Sequence, residues 1–195
     1  MPIVTGLHRA RRGWVAVELD GRPWRELPVA AVAAAGLYES CDLDRDRTRR
    51  LAQARRRAEA LELAAGALRR RPLSGAELDD RLTVRGVQEP ERRATRDTLE
   101  RAGYVDDARL AEDRAAWLAE RGNGNALIRD DLERRGVDSE VIEASLGRLE
   151  PEPERVARIV ERRGDGARTA RYLAARGFDE EVVRESVSPD VASDP

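Results

Sequence analysis

Lysine is absent from this chain: all 36 basic residues are arginine. Histidine and cysteine occur once each, as His8 and Cys41, and seven of 195 residues are aromatic. Each shortage excludes something. A single cysteine forms no intrachain disulfide and no cysteine metal cluster, and it fits a reducing compartment. His8 reads as a surface residue beside "RARR" (9–12). Cys41 is then left without a base, so Cys/His nucleophilic catalysis lacks a partner. Without lysine there is no Walker phosphate loop, and "GNGNA" and "GDGAR" read as helix starts. The acid pairs Asp79–Asp80, Asp106–Asp107 and Asp130–Asp131 are neighbours in sequence, and adjacent helical residues do not face each other. They suit capping or solvation better than a carboxylate dyad. The longest apolar run, "PVAAVAAAGL" (28–37), is short of the roughly 20 residues a membrane span needs. The N-terminus lacks an apolar signal core. These absences predict a non-enzymatic, soluble, cytoplasmic protein with no catalytic residues, no metal and no cofactor.

What is present is alanine and charge, with charged residues making up 38% of the chain. So few large apolar side chains fill several thin helical layers more readily than one thick core. The first 43 residues differ. "GWVAVELDGRPWREL" (13–27) alternates, with Val15, Val17 and Leu19 on one side, which is the period of a half-buried strand. Asp20-Gly21 is a two-residue hairpin signal. "IVTGL" supplies a third strand, and Pro23 suggests that its strand lies at an edge. A short alanine-rich helix then stops at Gly36.

From Asp44 onward the period is helical. Leu51, Ala54, Ala58, Leu61, Ala65 and Leu68 form one stripe of a long helix that Pro72 ends. Ser74 and Glu77 form a capping box for the next helix, with Leu78 and Leu82 inward. Gly86, Gly103, Gly136 and Gly177 each follow a helix, where glycine takes the left-handed conformation freely. The following residue (Val87, Tyr104, Val137 or Phe178) is expected to fold back on the last turn. Asp106, Asp138 and Asp179 are expected to cap the helices that come next. Leu82, Leu132 and Leu173 each stand four residues before a corner glycine, which exposes a repeat. The expected organisation is a β-hairpin extension with a short helix (1–43), three-helix repeats at 44–103, 104–150 and 151–188, and a disordered tail (189–195). The expected fold is mainly α, three tandem three-helix repeats in an elongated array behind a small β-meander.

"RAGYVDDARLAEDRAAWLAERG" (101–122) resembles the Gly-Tyr-(Leu/Val)-Asp-Asp run of the RecX family, bacterial regulators of the RecA recombinase, and includes Gly103, Tyr104, Asp106 and Asp107. "LSGAELDDRLTVRGV" (73–87) and "NALIRDDLERRGV" (125–137) resemble its middle-helix signatures, and residues 15–43 resemble its β-hairpin extension. The chain departs from the pattern at Ser40, Leu110 and Asn123–Asn125, the last standing where basic residues are frequent. The resemblance implies a non-enzymatic, elongated modulator that lies along the groove of the RecA–DNA filament and restrains its ATPase and strand exchange, and the chain is expected to be monomeric. RecA is then the partner, with single- or double-stranded DNA beside it.

Charge adds a candidate surface. Residues 44–73 carry ten arginines against four acids, whereas 104–195 carry a net −7. Arg55, Arg56, Arg57, Arg69, Arg70 and Arg71 are candidate nucleic-acid or filament contacts, against the alternative of a solvated helix face. The acidic half suits a protein partner better. Two other function classes remain open. A helix–turn–helix DNA-binding regulator would need a basic recognition helix, and "RDDLERRG" and "DDRLTVRG" are near neutral. A helical-repeat scaffold for an unrelated protein is the other.

Overall fold

The computed structural model describes residues 1–187, so the tail read as 189–195 and the last residue of the third repeat lie outside it. The chain opens with an antiparallel sheet in the order β1 (Val4–Arg9), β2 (Trp14–Leu19), β3 (Arg22–Pro28). Asp20 and Gly21 take φ of 49° and 75°, as a hairpin of this length requires. Pro23 lies on β3, an edge strand, where a missing N–H costs no ladder bond. Helix α1 (Val29–Ala35) ends at Gly36, with φ 63°.

Two compact units follow from the packing: residues 1–71 with 78–102, and residues 72–77 with those from 103 onward. In the first unit, Val4, Val17, Leu27, Ala31, Leu37 and Cys41 form a core that Leu51 and Ala54 of α2 (Arg45–Leu68) also join. The segment 1–43 and the start of the first repeat therefore share one core. Cys41 is part of that packing, and its sulfur accepts from the Tyr38 N–H at 3.4 Å.

The stripe expected on α2 needs correcting beyond Leu51. The buried positions are Leu51, Ala60, Ala64 and Ala67, while Leu61 is 40% exposed. The buried line shifts by one residue because the helix changes partners along its length. Its first turns meet α1 and the sheet; its later turns meet α4 (Glu89–Arg101), which buries Glu91, Thr95 and Leu99. Alanine at 60, 64 and 67 keeps that side of α2 flat. Leucine phase alone does not reveal a change of partner.

The second unit holds α5 (Asp107–Glu120), α6 (Asn125–Arg134), α7 (Ser139–Leu146), α8 (Glu152–Arg163), α9 (Ala167–Ala175) and α10 (Glu180–Ser186). It contains two small cores. Leu132, Val137, Ile142 and Leu146 recur 41 residues later as Leu173, Phe178, Val183 and Val187. The repeat is thus a repeat of core positions as well as of corners.

Three corners share one geometry. Gly86, Gly136 and Gly177 have φ of 76°, 69° and 75°. Their N–H groups bond the carbonyls of Thr83, Glu133 and Ala174. The N–H groups of Val87, Val137 and Phe178 reach back to those of Leu82, Leu132 and Leu173. This pair of bonds is a Schellman stop. The leucine four residues before each glycine therefore fills the core and also takes the closing bond. Gly103, with φ 71°, differs. Tyr104 does not fold back: it is 69% exposed, and Val105 is buried in its place. Sequence spacing put the inward residue one position too early.

Candidate functional site

The arginines of α2 are the first candidate. Arg55 to Arg57 advance about 100° per residue, so they spread over more than half of the helix circumference. Arg56 turns toward α4, where its Nε donates to Glu91 at 2.9 Å. That bond holds the Glu91 carboxyl below the ordinary range, against the opposing effect of burial. Arg55 pairs with Glu59 at 3.6 Å. Arg57 is exposed and makes no ion pair among the described residues. Arg69 caps the C-terminal end of α2, and Arg70 and Arg71 follow. Arginine at a helix C-terminus also complements its partial negative charge. The two clusters stand about 20 Å apart along the helix direction. Arg57, Arg69 and Arg70 are exposed, whereas Arg55 pairs with Glu59 and Arg56 with Glu91.

The corner residues build a second feature inside the second unit. Ser74 and Glu77 cap α3 (Gly75–Val84) reciprocally, at 3.1 and 3.0 Å. The Ser74 hydroxyl also donates to the Arg135 carbonyl, and Arg135 Nη1 reaches Glu77 at 3.2 Å. Asp106 caps its own helix, accepting from the Arg109 N–H at 2.9 Å. Asp107 looks elsewhere and accepts from the Gly75 N–H at 2.9 Å. Close by, Asp131 takes both Arg114 bonds at 2.9 Å and one from Arg135 at 3.1 Å. Hydrogen bonding from Arg114, reinforced by Arg135, holds its carboxyl at about 2 despite burial.

The same joint recurs one repeat on. Gly124, twelve residues before its corner glycine as Ser74 is, donates its N–H to the Arg176 carbonyl at 2.8 Å. The Ala126 N–H bonds the Gly177 carbonyl at 3.1 Å. Glu152 stands at the first position of α8, as Asp107 does on α5, and accepts from the Asn125 N–H and from the Asp179 N–H. Arg155, 5% exposed, lies 3.7 Å from Glu152 and donates to Asn125 and to the Asn123 carbonyl. Burial pushes its guanidinium down from the ordinary value, and Glu152 and Glu150 oppose that. Asn123 and Asn125 thus serve as acceptors for Arg176 and Arg155. Asp138 and Asp179 cap α7 and α10 in the expected way, each with a bond of 2.9 Å. The roles of Asp107, Glu152 and Arg155 had no local signal, since their partners lie 27 to 32 residues away.

Among the described residues no group of three or more His, Cys, Asp or Glu could hold a metal ion, and no helix is long and apolar enough to cross a membrane. The arrangement is one of caps, corners and outward arginines.

The profile of the RecX second three-helix domain matches residues 106–146, the span of α5 to α7. A regulatory protein RecX of Stenotrophomonas maltophilia (strain R551-3) is 34% identical over 140 residues, 67% of this chain and 86% of that protein. This chain belongs to the RecX family. The RecX of Chromohalobacter salexigens is 35% identical over 141 residues, 68% of this chain and 90% of that relative. A crystal structure of a regulatory protein RecX shares the fold with a TM-score of 0.81, covering 95% of this chain and 98% of the other at 18% identity. That of RecX from Lactobacillus salivarius gives 0.59 at 17% identity, over 67% and 94%. The β-meander followed by helical repeats is therefore a RecX fold.

Proposed function

We propose that this RecX family protein binds the RecA–DNA filament and restrains recombinase ATPase and strand exchange. One observation carries the reading: identity of 34% to a regulatory protein RecX along 86% of that relative's length. It acts as a monomer in the cytoplasm and without catalysis. Segregated charge supports a division of labour. Arg55, Arg57, Arg69, Arg70 and Arg71 serve as salt-sensitive phosphate contacts, and the acidic repeats contact recombinase side chains. Arg56 contributes through its pair with Glu91.

The test is a reversal of charge. Arg69→Glu, Arg70→Glu and Arg71→Glu together should weaken filament binding and flatten its dependence on salt, each lost contact lowering the slope by about one. Helicity by circular dichroism should be unchanged. Unaltered affinity and slope would return these arginines to a solvated role.

A further inference from the structure

An open groove of about 440 Å³ lies inside the second unit, where the last turn of α5 meets the face of α8. It adjoins a hollow of about 350 Å³ that reaches Tyr172 on α9. Ile159, Ala119 and Gly122 give it an apolar floor. Around that floor stand Arg121, Arg155, Arg158, Arg162 and Arg163, against two carboxylates, Glu120 and Glu161. This local excess of positive charge sits in the half of the chain that is acidic as a whole.

Three of these guanidiniums have no carboxylate partner among the described residues. Arg121 lies 3.6 Å from the centre of the Trp117 ring and donates to the Trp117 carbonyl at 3.3 Å. Arg163 lies 4.0 Å from the centre of the Tyr172 ring. Arg162 donates its Nε only to the Arg158 carbonyl, at 3.1 Å. By contrast Arg158 is paired with Glu150, and Arg155 is buried in the joint. Part of the charge answers the C-terminal ends of α5 and α8, each worth about half a unit. That leaves guanidinium charge in excess, on exposed side chains, beside two aromatic rings and an apolar floor. Trp117 is itself 42% exposed. Proteins that bind single strands without sequence preference combine these same elements: cations for the backbone, rings and apolar surface for the bases.

We propose that this groove binds single-stranded nucleic acid, with Arg162 and Arg163 on successive phosphates, Arg121 beside them, and Tyr172 or Trp117 against a base. The proposal deepens the filament reading, because it puts a second phosphate contact in the repeats that net charge assigns to protein. Its test needs no recombinase. Anisotropy of a labelled oligothymidine of about 15 nucleotides is followed against the full chain from roughly 200 to roughly 50 mM salt. A single strand releases about 0.7 counterion per phosphate contact. Arg162→Ala with Arg163→Ala should therefore lower the slope by about 1.4, a gain in affinity about sevenfold smaller across that range. Arg162→Lys with Arg163→Lys should keep the slope. Both side chains are exposed, so the melting temperature should hold; if the double variant does not fold, Arg162→Gln alone should lower the slope by about 0.7. Wild-type affinity and slope in the alanine variant would overturn the assignment. Displacement of the oligonucleotide by pyrophosphate at equal phosphate concentration would also overturn it, by making the groove a free-anion site. A chain that keeps this oligonucleotide behaviour yet ignores a RecA filament would remove the filament reading and leave the groove.

Discussion

At Gly136 a side chain would have no room. A Cβ built there would stand 2.5 Å from the Ala76 Cβ, and the residue holds φ at 69°. At Gly86 φ is 76°, but nothing lies within 4 Å of such a Cβ. The two glycines look alike in sequence and differ in what surrounds them. Gly86→Ala should cost about 1 kcal/mol, the left-handed penalty alone. Gly136→Ala should cost at least about 1 kcal/mol more, because Ala76 must move. Urea unfolding compares them, and equal losses would contradict the close approach. Asp131 gives a prediction in pH. Its folded carboxyl titrates at about 2, below the ordinary 3.8. The stability this supplies, about 2 kcal/mol, is complete above the ordinary value and is lost as pH falls through the folded one. The gap in stability between wild type and Asp131→Asn should therefore narrow between about pH 5 and about pH 2. A gap independent of pH would mean that Arg114 and Arg135 do not hold the charged form.

Among elements, a joint made twice explains why acids stand at the first position of α5 and α8. Asp107 and Glu152 accept bonds from the starts of α3 and α6, helices whose own orphan N–H groups need acceptors. Asp107→Ala should cost more than Asp106→Ala. The former leaves the Gly75 N–H unpaired in a partly buried place, whereas the latter removes an exposed cap worth about 1 kcal/mol. Thermal melts of the two variants decide the order, and the reverse ranking would contradict the joint. Here the sequence was legible where interactions are local. The hairpin at Asp20-Gly21, the Ser74–Glu77 box and the capping aspartates all lie within a few residues of their partners. So does the leucine four before each corner glycine. It was illegible where partners are distant: the shifted face of α2 and the Arg155 network depend on chain tens of residues away. The candidate arginines were visible as a charge count. That Arg56 is committed to Glu91, 35 residues on, was not.

On the scale of the whole molecule, charge is divided along the chain, with the basic excess on α2 and the acidic excess from residue 104 onward. A nucleoprotein filament presents phosphate and protein side by side, which is the partner such a chain suits. Segregated arginine gives the chemistry of one contact to the proposed partner. The most direct measurement is co-sedimentation of the purified chain with RecA, with and without single-stranded DNA and a non-hydrolysable ATP analogue. The chain should pellet with RecA when both DNA and nucleotide are present, and stay in solution when either RecA or the filament-forming ligands are left out. A chain that remains in the supernatant beside an assembled filament would contradict filament binding.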